Sequence, residues 1–124
     1  MRNLVKKIFG TKHTRDMKRL KPLLEQINGM ESKYQAMSDD ELKGQTSHLR
    51  DRYKSEVEQG KKSYDVLKDL LPEAFAITRE ASVRALGMRH FDVQIVGGIV
   101  LFEKKIAEKR ANKNKEPITA SLNN

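Results

Sequence analysis

Residues Gly87 to Arg110 carry the clearest chemistry in this chain. A short polar turn holding Met88, Phe91 and Gln94 opens an apolar helix, and a short Ile106-Ala107 strand is expected after it. That order reads as the approach to a nucleotide-binding P-loop. The cradle itself needs GxxxxGK[ST]: glycines turn backbone amides toward phosphate, the lysine reaches the β/γ oxygens, and the hydroxyl holds magnesium. The chain gives Ala111-Asn112-Lys113-Asn114-Lys115-Glu116-Pro117 instead, and no glycine follows Gly98. Asn112 and Asn114 stand where glycines are needed. Glu116 stands where the magnesium-binding threonine belongs, and its charge would repel phosphate oxygens. No catalytic residue is therefore expected here.

Other chemistries find less support. His13, His48 and His90 are isolated, with no partner at metal spacing, so no metal site is expected. Asp39-Asp40-Glu41 follows Ser38 as a capping box, which accounts for the carboxylates without a catalytic role. Cysteine is absent, which removes disulfides, thiolate ligands and a cysteine nucleophile, and fits a reducing compartment. No Ser/His/Asp motif is present.

Several motifs together resemble the N-terminal segment of SecA, the ATP-driven motor of bacterial preprotein export. They are LLPEAFAITREAS (Leu70–Ser82), GMRHFDVQ (Gly87–Gln94), GGIVL (Gly97–Leu101) and IAE (Ile106–Glu108), with MSDDELKGQT (Met37–Thr46) and the basic start in support. The resemblance runs to about Arg110, and SecA proteins are several times longer. The chain is therefore expected to correspond to the beginning of such a protein, truncated and with a degenerate P-loop.

The resemblance implies a role for each end. Met88, Phe91 and Gln94 match an element that recognises adenine. The glutamine amide offers a donor and an acceptor to the paired edge of the base, and Met88 and Phe91 supply an apolar wall. The competing assignment has Gln94 capping or facing solvent on a helix, and Phe91 in the core. With the cradle lost, ATP or ADP would bind weakly and hydrolysis by this chain alone is not expected. The basic start matches the arm with which the family approaches anionic lipid and a SecYEG-type translocon. Arg2, Lys6 and Lys7 would meet the charge, while Leu4, Val5, Ile8 and Phe9 insert. Preprotein is a further implied partner. The implied location is the cytoplasm, peripheral at the inner face of the plasma membrane.

Composition sets the frame for these elements. The 124 residues suit one small domain, lean in apolar residues at 37% with 34% charged. No run approaches the ~20 apolar residues of a spanning helix. Lys6 and Lys7 split Leu4-Val5 from Ile8-Phe9, which speaks against a secretory signal; the acid-poor basic start leaves a transit peptide as an alternative. The net charge of +8 is uneven. Residues 1–22 hold eight Lys/Arg against Asp16 alone, residues 23–103 hold 11 against 14 Asp/Glu, and residues 104–124 hold six against two. Membrane attraction is thus expected from residues 1–22 and not from the rest. Charge at both ends also permits a small basic nucleic-acid-binding or regulatory module, although only 6% of residues are aromatic and no nucleic-acid motif appears.

The predicted fold class is mostly α, with four to five helices and at most one orphan strand near Ile106–Glu108. Three parts are expected: a basic arm over 1–22, a helical segment over 23–110, and a disordered polar tail over 111–124. Gly10 and Pro22 should break or kink the first helices. Apolar residues at steps of three and four run from Met17 through Leu20, Leu24 and Ile27 to Tyr34 and Met37. Leu42, Leu49, Tyr53 and Val57 mark the next helix, ending at a Gly60 loop. Pro72 is expected in the first turn of a helix carrying Ala74, Phe75, Ile77, Ala81, Ala85 and Leu86, capped by Gly87. The Gly97-Gly98 pair predicts close approach of another backbone.

Overall fold

A computed structural model describes the backbone of residues 2–115 and the side chains of Lys12 and residues 14–112. Four long helices and one short one follow in order: α1 Arg2–Gly29, α2 Glu31–Gln35, α3 Asp39–Glu58, α4 Ser63–Leu86 and α5 Asp92–Lys115. Among the described residues there is no strand. The mostly helical expectation holds.

Local chemistry explains most of the helix ends. Ser38 is the N-cap of α3, and its hydroxyl accepts from the Glu41 amide at 3.2 Å, the forward half of the capping box. Gly60 takes φ 96° beyond the end of α3. Gly87 takes φ 67° and donates its amide to the Val83 carbonyl at 2.9 Å, closing α4 in a left-handed cap. The apolar stripe of α1 passes through a tight turn at Met30, whose amide reaches the Ile27 carbonyl at 3.2 Å, and continues into α2 at Tyr34.

Burial makes α4 the central helix. It contacts α1, α2 and α3, while α5 lies along α1. The core joins Leu20, Leu24 and Ile27 of α1 to Tyr34, Leu42, Leu71, Ala76 and Ile77, and to Ile95, Val96 and Ile99 of α5. Arg52 ties α3 to α4 by two 2.9 Å bonds to Glu73. Arg84 clasps the α2–α3 connection: it donates to the Tyr34 and Met37 carbonyls at 3.0 and 2.6 Å and pairs with Asp39 and Glu80.

Several expectations need correction. α1 runs through Gly10 and Pro22 without a break, and Pro72 lies deep inside α4. A proline removes one amide and frees the carbonyl four residues earlier. Here those carbonyls belong to Lys18 and Lys68, both on exposed residues where water can replace the lost bond. Ile106–Glu108 is helix, not strand. A lone strand cannot satisfy its backbone, whereas a Glu-, Lys- and Ala-rich stretch satisfies it within a helix at little cost. The same logic carries α5 through residues 111–115, placed in the disordered tail above; residues 116–124 lie outside the described residues. Ala81, Ala85 and Leu86 are exposed, since the buried face of α4 runs through Val66, Leu70, Ala76 and Ile77.

The glycine pair in α5 meets a ring and not a backbone. A Cβ on Gly98 would stand 2.8 Å from Cε1 of Phe75, while one on Gly97 would meet nothing within 4 Å. Gly97→Ala is therefore expected to stabilise the protein by roughly 0.5–1 kcal/mol through helix propensity. Gly98→Ala should forfeit that gain to the Phe75 contact. Urea midpoints of the two variants check this; equal shifts would show that Phe75 yields freely.

Candidate functional site

The segment between α4 and α5 holds the three residues singled out for base recognition. Gly87 turns the chain out of α4, and Met88 to Phe91 run free of helix until Asp92 opens α5. Phe91 is the residue from which α5 starts: its carbonyl accepts from the Gln94 and Ile95 amides at 2.9 and 3.1 Å. Gln94 reaches back, and its Oε1 accepts from the Phe91 amide at 2.8 Å. This is the backward half of a capping box.

The geometry gives each of these residues a definite condition. Gln94 caps its own helix, so its acceptor is engaged, while its Nε2 donors make no bond to a described residue. Phe91 is not core: it is 70% exposed, and Met88 is 62% exposed. Leu86 and Val93, close to them in sequence, are exposed as well. A flat apolar ligand would find an exposed thioether and an exposed ring on one segment, with the Gln94 Nε2 donors at the start of α5. The three side chains do not line the ≈390 Å³ groove between α3 and α4, which is bounded by Leu42, Thr46, Ile77 and Arg84.

Two arginines fix this segment in place. Arg89 donates to both carboxylate oxygens of Glu31 on α2, at 2.5 and 3.0 Å. Arg79 of α4, only 2% exposed, donates to Asn28 Oδ1 at 2.5 Å and to Asp92 Oδ1 at 2.9 Å. One guanidinium thus joins the end of α1 to the start of α5 beneath the loop. Its Nε is buried without a hydrogen-bond partner. Neither arginine stands out as a positioning residue in the sequence. A signal was present for Arg79: it falls with Pro72 and Ala76 on the buried stripe of α4, at steps of four and three.

The Glu31 carboxyl is held below the ordinary carboxylate range by its hydrogen bonds from Arg89, against an opposing push from burial. A carboxylate depressed in the folded state adds stability above its unfolded pKa, and that stability fades as pH falls through the folded value. Glu31→Gln should therefore be less stable than the parent near neutral pH. The two proteins should converge below the usual carboxylate pKa of about 4.3. Urea unfolding across this range checks the prediction, and a gap that persists in acid would refute it.

The rest of the predicted chemistry can also be placed. His48 is exposed and His90 half-buried, and among the described residues no three His, Asp or Glu side chains gather as a metal site would require. Arg2, Leu4, Val5, Lys6, Lys7, Ile8 and Phe9 lie on the first turns of α1, but their side chains fall outside the described residues. Among the described residues no helix is long and apolar enough to cross a membrane.

Known sequences are similar to this chain over most of its length. The family model for the SecA DEAD-like domain matches residues 5–115. "Protein translocase subunit SecA" of Elusimicrobium minutum is 48% identical over 112 residues, which are 90% of this chain and 12% of the relative. The protein of the same name from Geotalea uraniireducens is 47% identical over the same shares. "Protein translocase subunit SecA 1" of Magnetococcus marinus is 46% identical. The chain thus spans about 12% of the length of these curated relatives.

Proposed function

The chain belongs to the SecA family, and from that premise we propose that it serves preprotein translocation as a segment that receives adenine and approaches the membrane. In this reading Met88 and Phe91 flank the base of ATP or ADP, and the Gln94 amide meets its edge. The observation that carries the reading is the segment 88–94 itself. Two arginine clamps hold it, yet its apolar side chains stay exposed. An exposed phenylalanine on a fixed loop is unusual as packing and suits a partner that is flat and apolar.

The same reading leaves hydrolysis out of this chain. Phosphate cradles use backbone amides that point away from their own helix. Residues 104–115 continue α5, so their amides are engaged in helical bonds. Among the described residues no cluster of carboxylates or histidines accompanies them. Phosphates would gain little, and a base-only contact is expected to bind with a Kd on the order of a millimolar, about −4 kcal/mol.

Calorimetry with ATP and ADP tests this. Micromolar affinity would refute the loss of the cradle. Gln94→Ala also removes a cap, so Phe91→Ala serves as the second variant, because an exposed ring contributes little to the fold. Binding unchanged in both variants would remove the base site.

For the first turns of α1 we propose contact with an anionic membrane at the cytoplasmic face, next to a SecYEG-type translocon. Arg2, Lys6 and Lys7 supply charge, and Leu4, Val5, Ile8 and Phe9 supply insertion. The arm is continuous with the core through Leu20, so removing residues 1–22 would also remove packing. Substitutions within the first turns are the appropriate probe.

A further inference from the structure

The folded molecule gathers its positive charge at one end. α1 and α5 run antiparallel. At one end Arg79 reaches both Asn28 and Asp92, and farther along Arg19 of α1 pairs with Glu103 of α5 at 3.0 Å. The same register continued sets the Lys12–Arg15 turn of α1 beside the Ala107–Arg110 turn of α5. α4 begins at this end too, where the Arg110 guanidinium lies 5.0 Å from the centre of the Tyr64 ring. Lys12 and Arg15 of α1 and Lys109 and Arg110 of α5, from the two basic stretches of the sequence, therefore lie on neighbouring turns.

Two grooves adjoin there, with Arg19 lining both. One of ≈360 Å³ is bounded by Lys12, Arg15 and Asp16. The other, of ≈330 Å³, carries Lys68 and Arg110 at its edges over Leu71, Phe102, Ile106 and Ala107. Among the described residues Lys12, Arg15, Lys68 and Lys109 make no ion pair. Residues 104–115 hold six Lys/Arg against Glu108 alone. Glu31, Asp39 and Asp92 lie toward the opposite end, held by Arg89, Arg84 and Arg79, while Asp65 and Asp69 flank Lys68 at the start of α4.

We propose that this basic end is a single platform for an anionic lipid surface, with Lys109 and Arg110 of α5 and Lys68 of α4 binding headgroups alongside α1. The proposal rests on the membrane reading of α1 and extends it to residues outside the arm. Cations spread over three helix ends around an apolar floor suit lipid, which offers phosphate and hydrocarbon together. Nucleic acid would draw on exposed aromatic stacking or base-reading side chains, and the one aromatic ring exposed at the α4–α5 loop belongs to the other end. The far end pairs its acids with arginines, so the unpaired cations of the basic end set which side faces a negative surface.

Co-sedimentation of the full chain with phosphatidylcholine vesicles, with and without phosphatidylglycerol, tests the platform. Lys68→Gln with Lys109→Gln is compared with Lys6→Gln with Lys7→Gln; Lys68 and Lys109 are exposed, and circular dichroism should show their helices intact. Each lysine removed should lower binding to the anionic vesicles about five-fold, and each pair on the order of twenty-five-fold. Loss in the Lys6/Lys7 pair alone would overturn the platform and leave the arm. Loss in the Lys68/Lys109 pair alone would uphold the basic end and overturn the arm. Loss in neither would overturn both. Displacement of the vesicles by duplex DNA at equal phosphate concentration would overturn the assignment to lipid.

Discussion

Asp92→Ala is expected to cost about 3 kcal/mol of unfolding free energy, the lower end of the range for breaking a buried ion pair. Arg79 is almost wholly buried and keeps only Asn28 as a partner once Asp92 is gone. Asp92 itself is 45% exposed, so water already shares its charge, which argues for the lower end. The opposite truncation differs in kind. Arg79→Met retains most of the stem packing and removes the charge that must be compensated, while a half-exposed Asp92 rehydrates. The double variant Arg79→Met with Asp92→Ala should therefore be more stable than Asp92→Ala alone. Urea unfolding with unchanged slope gives the three values. If Asp92→Ala costs less than about 1 kcal/mol, or the double variant is the weaker protein, the buried guanidinium is not what holds α1, α4 and α5 together.

The sequence disclosed those features whose cause is local. The Ser38 cap needs only Ser38 and the amide three residues on. The Gly87 end of α4 needs only a residue that tolerates positive φ. The apolar stripe of α1 is legible because helical spacing repeats within a few turns. What was misread depends on surroundings. Pro22 and Pro72 look like breaks because their local cost is real, yet exposed carbonyls at Lys18 and Lys68 make that cost small beside the packing of two long helices. Ile106–Glu108 looks like a strand through its resemblance, but a strand exists only with a partner. The arginine clamps join residues 13 to 58 positions apart, and no local spacing marks a partner at that distance. Of the candidate site, the sequence placed Met88, Phe91 and Gln94 on the turn that opens α5, and they lie there. The cap at Gln94 was legible as the competing assignment, and it holds; the exposure of Phe91 was not, since that assignment placed the ring in the core.

The seat of α5 is where packing decides most. Ile95, Val96 and Ile99 are its buried residues, and Ile99 is fully inaccessible. Two turns before Ile99 the helix begins at the Phe91–Gln94 cap, so whatever loosens Ile99 loosens the candidate site. Ile99→Ala removes buried carbon and leaves a cavity between α1, α4 and α5, at a cost of about 2–5 kcal/mol. Leu101, 59% exposed on the same helix, provides the control, and Leu101→Ala should stay within about 0.5 kcal/mol. Urea unfolding should separate the two variants clearly. Hydrogen exchange should show amides of α5 opening in Ile99→Ala while α3 and α4, joined by Arg52 and Glu73, stay protected. A second consequence follows at the loop. With α5 loosened, the Arg79–Asp92 pair loses its fixed geometry, and any binding of adenine nucleotide should weaken even though Met88, Phe91 and Gln94 are untouched. Equal cost for Ile99→Ala and Leu101→Ala would mean that α5 is not held by this face, and the site would then need another support.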